Sequence, residues 1–404
     1  MIDQPALKIP PPGFLSDPAL SSVLAVLPEA RVAGGAVRDT LAGRPVADID
    51  LATPRRPDDV LATLGKSGIR AVPTGIAHGT VTAVAGGRGF EITTLRRDVE
   101  TDGRHALVAF TEDWRADAAR RDFTINALSM TRDGAVFDYF GGIADLRRGI
   151  VRFVGDPATR IAEDYLRILR FFRFHARYGT GPPDAAAMEA IRAGVAGLAR
   201  LSAERVWSEL ARILAAPDPR EALALMANLG VLGAVIPEGT DLRRLDRIVA
   251  AGAPADPLLR LAALLTGNAG SFAERLRLSA DDRERLIALR QAPPVRPEMD
   301  DATLRRLLAD TDPALLRDVT WLQGETGPDW NALRVRLGAM PQPVFPLEGR
   351  DVLALGLEPG PNVGALLRAV RSWWLTGGCT ADVAACRAEL ARRWEEMKEP
   401  PAVS

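Results

Sequence analysis

Asp48-Ile49-Asp50 carries the sharpest chemical signal in this chain, two carboxylates separated by a single apolar residue. On a strand, residues two apart face the same side, so both carboxylates project together while Ile49 enters the core. No basic residue stands between them, and they repel unless a cation lies there. Two Mg2+ ions ~3.5–4 Å apart suit such a pair, one activating an attacking hydroxyl and one holding phosphate oxygens. Upstream runs Val32-Ala33-Gly34-Gly35-Ala36-Val37-Arg38-Asp39. Gly34 and Gly35 let backbone amides come close to a ligand, the helix that follows aims its positive end at an anion, and Arg38 adds a charged donor. A lone D-x-D is more often a surface turn. The Gly-Gly turn and the Arg-Asp, in this order, make it a metal and phosphate site.

Two further clusters carry polar groups. Residues 120–128, Arg-Arg-Asp-Phe-Thr-Ile-Asn-Ala-Leu, hold two guanidiniums, a carboxylate and a carboxamide. Such a segment docks by its apolar side and offers Arg121, Asp122 and Asn126 to a triphosphate and a ribose. A capped amphipathic helix with solvated charges is the plain alternative. In residues 163–170, Asp164 and Arg167 are three apart and so share a helix face. On an arbitrary helix they would form an ion pair worth roughly a few tenths of a kcal/mol. A carboxylate acceptor beside a guanidinium donor also matches a base edge that offers one amino donor and one ring-nitrogen acceptor. Cytosine and adenine both offer it. Uracil and guanine present the opposite order, leaving a buried group unpaired at roughly 1–3 kcal/mol each. The Gly65-Lys66-Ser67 run is no Walker loop, because its first glycine would fall at Val60.

Holding these groups in place takes a sheet. Residues 31–35 predict a strand ending in the Gly-Gly turn, 36–42 a short helix, and 48–52 a second strand. A helix near 58–66 precedes strands at 80–85 and 90–94, joined by a hairpin turn at Gly86-Gly87-Arg88-Gly89. Residues 97–110 are polar, contain glycine and lack an apolar period, which predicts a mobile loop. Further strands are expected at 127–131, 136–139 and 151–154. After Asp156-Pro157 the pattern turns helical, with Pro157 at a first helical position and Ile161, Tyr165, Ile168, Leu169 and Phe172 at helical spacing. Helices are expected at 200–214, 221–229, 241–251, 257–265, 281–290 and 302–310. The fold class is α+β, a small mixed-sheet head followed by an all-α remainder.

At 404 residues, 47% hydrophobic and 25% charged, the chain is neither disordered, collagenous nor a disulfide scaffold. Its apolar runs fall short of the ~20 residues that span a bilayer, and its start lacks a signal-peptide pattern, so no membrane and a cytoplasmic location are expected. Formal charge is −1, yet 48 of the 51 basic residues are arginine, and eight arginines face three acids between Arg147 and Arg177. That stretch suggests an anionic partner at one surface. If Cys379 and Cys386 share a helix, they stand two turns (~10 Å) apart, too far for a disulfide.

The three clusters, in this order and spacing, resemble the bacterial-type (class II) tRNA nucleotidyltransferases, the CCA-adding enzymes, and their relatives the bacterial poly(A) polymerases. Gly34-Gly35-x-Val37-Arg38-Asp39 with Asp48-x-Asp50 resembles the family's metal motif, and residues 120–128 its ribose and triphosphate motif. Residues 163–170 resemble its nucleotide-template motif, and Glu204-Arg205 with Glu209-Leu210 the helix supporting that template. Residues 98–110 resemble a flexible loop, and Gly349-Arg350-Asp351 with Trp373-Trp374 a C-terminal segment. The resemblance implies a nucleotidyltransferase head over 1–155, a neck with the template helix over 156–215, and a helical body and tail binding tRNA over 216–404. It implies Mg2+ on Asp48 and Asp50, with CTP and ATP held by Gly34, Gly35, Arg38, Arg121, Asp122, Asn126, Asp164, Arg167 and Arg170, and with Glu163, Glu204 and Arg205 in support. The implied reaction is Mg-dependent, template-independent addition of CMP and AMP to the tRNA 3′ end. Poly(A) synthesis, or CC- or A-only addition, stays open beside it, as does a catalytically silent RNA-binding protein. No protein partner is inferable.

Overall fold

The computed structural model describes residues 3–101, 106–324 and 327–398. The chain divides into two compact units, Met1–Pro237 and Glu238–Ser404.

In the first unit the strands are β1 (Leu7–Lys8), β2 (Arg31–Ala33), β3 (Asp50–Thr53), β4 (Arg70–Gly75), β5 (Thr80–Ala85), β6 (Arg88–Thr94), β7 (Arg96–Thr101), β8 (Ala106–Phe110), β9 (Leu128–Met130) and β10 (Ala135–Asp138). Eight of them form one mixed sheet in the order β1-β10-β9-β2-β3-β6-β5-β4, in which β3 and β6 run parallel. Between the strands lie α1 (Pro18–Val26), α2 (Gly35–Leu41), α3 (Pro57–Lys66), α4 (Trp114–Ala119) and α5 (Gly142–Arg147). Asp17 starts α1 by accepting from the amides of Ala19 and Leu20, with Pro18 in the first turn. Leu20, Val23 and Leu24 of α1 and Val60 and Leu64 of α3 then bury against Val32, Leu51, Val81 and Ile92 of the sheet. The β5–β6 turn places Gly86 and Gly87 at φ +55° and +74°, which glycine adopts without a Cβ penalty.

Three expectations are corrected here. Residues 97–110 are not a plain loop: β7 and β8 pair antiparallel as a separate two-stranded ribbon, and residues 102–105 lie outside the described residues. Residues 151–154 form no strand, only a single bridge from Phe153 to Phe123. Asp48 precedes β3 rather than lying on it.

The first unit continues with α6 (Pro157–Glu163), α7 (Leu166–Tyr178), α8 (Ala185–Gly194), α9 (Ala203–Leu214), α10 (Arg220–Asn228) and α11 (Val231–Val235). Helix α7 buries Ile168, Leu169, Phe171 and Phe172 on one side and carries Arg167, Arg170, Arg173 and Arg177, with Phe174 among them, on the other. Its aromatic residues meet the head: Phe123 lies 6.2 Å from Phe171 and 5.3 Å from Phe174, centroid to centroid. Such pairs contribute roughly 0.5–1.5 kcal/mol each beyond their buried area. They fix where the arginines of α7 stand relative to the sheet.

The second unit is helical throughout its described residues: α12 (Leu242–Ala250), α13 (Pro257–Leu264), α14 (Ala269–Arg275), α15 (Ala280–Gln291), α16 (Asp301–Asp310), α17 (Pro313–Gln323), α18 (Pro328–Ala339), α19 (Gly349–Leu353), α20 (Pro361–Thr376) and α21 (Val383–Lys398). Asp241, Asp256, Asn268, Ser279, Asp300 and Asp312 cap six of them. Val352, Leu366, Val370, Trp374 and Leu390 make a separate core around α19–α21. The two cysteines do not share a helix, since Cys379 precedes α21 at φ +59°; both are free thiols. Among the described residues no helix is long and apolar enough to cross a membrane.

Candidate active site

Sheet register brings the Gly-Gly turn to the carboxylates. Ala33 of β2 pairs with Asp50 of β3, so Gly34 follows directly beside Asp50. Gly34 sits at φ +67°, and a Cβ there would stand 3.0 Å from Nη1 of Arg121. The positive φ favours glycine, and its lack of a Cβ leaves room for the Arg121 tip. Arg38 of α2 is buried, donating to Asn126 Oδ1 at 2.5 Å and to Asp39 Oδ1 at 3.0 Å. Its guanidinium also lies 4.5 Å from the Tyr178 ring centre, while the Tyr178 hydroxyl donates to Asp39.

Asp48 and Asp50 are both exposed and line one cavity of about 480 Å³. Partial desolvation and then the charge of Glu91 push the Asp50 carboxyl up, with Arg121 opposing and Asp48 adding to the rise. Glu91 was missed in the sequence; the parallel register of Leu51 with Ile92 puts it one step back, beside Asp50. Only knowledge of the β3–β6 pairing reveals it. Among the described residues no group of three or more His, Cys, Asp or Glu is close enough to cage a metal by itself. Two exposed carboxylates with open space before them fit Mg2+, which commonly takes one or two carboxylates plus substrate phosphates.

A second cavity, of about 460 Å³, is lined by Gly34, Gly35, Arg38, Arg120, Arg121, Asp122, Asn126, Asp164, Leu166, Arg167, Arg170, Phe174 and Arg205. Six guanidiniums thus face two carboxylates, a field suited to a polyanion. Asp122 does not offer a free carboxylate. It accepts from the Phe123 amide at 2.9 Å, from Asn126 Nδ2 at 2.9 Å and from Arg170 Nε at 2.8 Å. Burial works to raise its carboxyl, but Arg170, Asn126 and the Phe123 amide outweigh burial and hold it below the usual carboxylate range. Asn126 likewise accepts from Arg38 and donates to Asp122. These two side chains set the arginines in place, and Arg120 and Arg121, tethered to Asp117, reach the cavity.

The expected Asp164–Arg167 helix face is corrected. Helix α6 ends at Glu163, Asp164 is extended at φ −156°, and α7 starts at Leu166. Asp164 accepts from the Leu166 amide at 3.1 Å and from Arg205 Nη2 at 2.6 Å. Arg167 donates to the Arg160 carbonyl at 2.7 Å and to Glu163. The two do not pair with each other, yet both line the same cavity. Glu163 also accepts from Arg160 at 2.7 Å and so holds Arg167 in place. Glu204 is exposed on α9 and lines neither cavity.

Both cavities share Gly35, Arg38 and Phe174. Besides Asp48 and Asp50, the first cavity is lined by Arg173 and Arg177 of α7 and Arg212 of α9, none of which motif spacing identified. Buried Glu209 of α9 contacts arginines of both cavities, 3.0 Å from Arg173, 3.8 Å from Arg212 and 3.9 Å from Arg170. Burial draws the Arg173 guanidinium down to about 10, against the pull of Glu209, and it remains cationic at neutral pH.

Residues 30–152 match the family model for the poly A polymerase head domain, and residues 183–242 the one for the probable RNA and SrmB-binding site of polymerase A. Over 369 residues the chain is 38% identical to mitochondrial CCA tRNA nucleotidyltransferase 1 of Mus musculus, covering 87% of this chain and 83% of the mouse protein. The chain belongs to the CCA-adding enzyme and poly(A) polymerase family. A CCA-adding enzyme of Levilactobacillus brevis is 31% identical over 384 residues, or 90% of this chain and 94% of its own. The Bacillus stearothermophilus CCA-adding enzyme in complex with CTP aligns at a TM-score of 0.75 and 27% identity, covering 94% of this chain and 99% of that one. The Thermotoga maritima CCA-adding enzyme complexed with tRNA shares the fold, at a TM-score of 0.66 and 20% identity. Head sheet and helical remainder are therefore the CCA-adding fold.

Proposed function

We propose that this chain adds CMP and AMP, from CTP and ATP, to the 3′ end of tRNA. The carrying observation is the juxtaposition of the six-guanidinium cavity with the Asp48–Asp50 cavity across Gly35, Arg38 and Phe174. The names of its relatives, CCA-adding enzymes and CCA tRNA nucleotidyltransferases, support the same substrate. In this reading residues 1–155 are the catalytic head, 156–215 the neck, and 216–404 the body and tail that hold tRNA. The cytoplasm is its compartment in this reading, to be checked by cell fractionation.

Asp48 and Asp50 hold Mg2+, the hard-oxygen ligands that this ion prefers. When bound, the ion supplies charge neutralisation of the triphosphate and acidification of the RNA 3′-hydroxyl. Arg38, Arg121 and Arg170 grip the triphosphate, and Gly34 and Gly35 keep the approach open. Asp122 and Asn126 brace Arg170 and Arg38 from behind. At the far wall Asp164 accepts from the exocyclic amino group of cytosine or adenine, and Arg167 donates to the ring nitrogen. Each has capacity left after its protein contacts, since a carboxylate offers about four lone-pair sites and a guanidinium five N–H donors. Uracil and guanine face the wrong polarity, at roughly 1–3 kcal/mol per unpaired group. Arg205 and Glu163 keep the reading pair in place.

The test supplies tRNA lacking its terminal CCA, Mg2+ and CTP or ATP singly and together, and resolves products to one nucleotide. Two C additions with CTP, and one further A when ATP is present, are expected. Long A tracts would assign poly(A) synthesis instead, and no extension under any condition would leave a silent RNA-binding protein.

A further inference from the structure

Arg160 of α6 lines neither cavity and is only 8% exposed, yet it touches two separate parts of the six-guanidinium wall. Its Nη2 donates to the Arg121 carbonyl at 2.8 Å and to the Arg120 carbonyl, which fixes the backbone that carries both cavity arginines. Its Nη1 donates to Glu163 at 2.7 Å, and Glu163 also accepts from Arg167. The Arg160 carbonyl accepts from Arg167 Nη1 at 2.7 Å. Arg167 is thus held by the backbone of Arg160 and, through Glu163, by its side chain. A guanidinium that only pinned α6 to the head would be served by the two carbonyls and a counter-charge of its own. Here the counter-charge is shared, so the position of one guanidinium sets that of the other.

We propose that Arg160 is a positioning residue that couples base reading to the triphosphate grip. It rests on the roles given to Arg167 and Arg121 in the reaction proposed above. When cytosine or adenine engages Arg167, that side chain stays on the Arg160 carbonyl and on Glu163. Arg160 then keeps its fork on the carbonyls of residues 120 and 121, and Arg121 stands ready at the triphosphate. A uracil or guanine that turns Arg167 aside draws Glu163 with it and loosens the fork. The wrong base is penalised twice, at its own edge and again at the phosphates. The link needs the planar guanidinium, whose nitrogens address Glu163 and the two carbonyls in fixed directions; an ammonium has no such fork.

The experiment reads equilibrium affinity of the full chain, with Mg2+ and without RNA, for CTP, UTP and inorganic tripolyphosphate. It compares wild type, Arg160→Lys, Arg167→Ala and the double variant, each checked for folding by circular dichroism. Each single change should weaken CTP binding ~10-fold, and the double ~10–20-fold rather than ~100-fold, because both act through one link. UTP and tripolyphosphate, which do not engage the link, should weaken less than ~3-fold in Arg160→Lys. On tRNA lacking CCA, the CTP-to-UTP ratio of kcat/KM should fall ~10-fold in the same variant. Equal weakening of CTP, UTP and tripolyphosphate, or additive losses in the double variant, would overturn the coupling and leave Arg160 a staple of α6. If Arg160→Lys does not fold, Glu163→Gln decides the matter by the same pattern, since it weakens the shared link and spares the bonds of Arg160 to the two carbonyls. A chain that binds CTP but extends no tRNA would strike the proposed reaction, while the binding cycle still decides the coupling.

Discussion

Replacing Asp122 by Asn tests whether the six-guanidinium cavity is held open by its own buried ion pair. Asn keeps an oxygen for the Phe123 amide and the Asn126 amide, but turns an NH2 toward the Arg170 guanidinium. Removing one partner of a fully buried pair costs ~3–5 kcal/mol. The Arg170 side chain is 33% exposed and keeps Glu209 at 3.9 Å, so water and that carboxylate recover part of the cost. About 2–3 kcal/mol should remain. Hydrogen exchange along Leu166–Tyr178 reads this opening without requiring the two units to unfold together, and should speed up ~30–150-fold. The carboxyl is held below the usual range, so the native state binds fewer protons than the unfolded chain between the two values. Its contribution is complete above the ordinary carboxylate value and is lost as pH falls through the depressed one. The gap between wild type and Asn should therefore stay constant from pH 7 to about 5 and shrink only in stronger acid. A gap under about 1 kcal/mol, or one already closing between pH 7 and 5, would refute this role for Asp122.

Asp50→Asn should abolish incorporation, by ~10²-fold or more, while raising rather than lowering Tm, because it removes a carboxyl pushed up by desolvation and by Glu91. The calorimetric gain should be absent near pH 4 and grow as pH rises through the raised value, since only the charged form is penalised. Arg205→Ala deprives Asp164 of its 2.6 Å partner and should weaken CTP and ATP use alike, by ~10-fold, in single-nucleotide incorporation assays that still reject UTP and GTP. Shortening the β7–β8 ribbon should leave CC-ended products to accumulate on a sequencing gel; normal completion of CCA would make the ribbon a spacer.

The Gly34–Asp39 turn, the Asp48–Asp50 pair and the 120–128 cluster could be picked out as candidates from residue type and spacing, and the structure sets them along two adjoining cavities. Tertiary partners were not. The apolar series Ile161, Tyr165, Ile168 and Phe172 keeps helical spacing across the break at Asp164, so periodicity saw one helix where there are two. What breaks it is distant: the Tyr165 ring packs where a Cβ at Gly197 would stand 2.0 Å away, and Arg205 draws on Asp164. Sequence shows the chemistry of Asp122 and Asn126, which do line the cavity, but not their bonds to Arg170 and Arg38. Arg173, Arg177 and Arg212 vanish among so many arginines until α7 and α9 bring them to one wall.

Strand β2, from which the Gly-Gly turn springs, sits in the sheet between β3 and β9. Val32 pairs with Leu51 on one side and with Met130 on the other, and β1 finds its partner only in β10. During synthesis from the N-terminus, β2 and β3 can pair early, but the other side of β2 waits until Leu128–Met130 has emerged. Until then an apolar strand presents unpaired amides and carbonyls along an open edge, the condition that favours pairing with another chain. The head is thus a late-closing fold with high contact order. Fragments ending before β9 should aggregate, whereas those reaching past β10 can close the sheet.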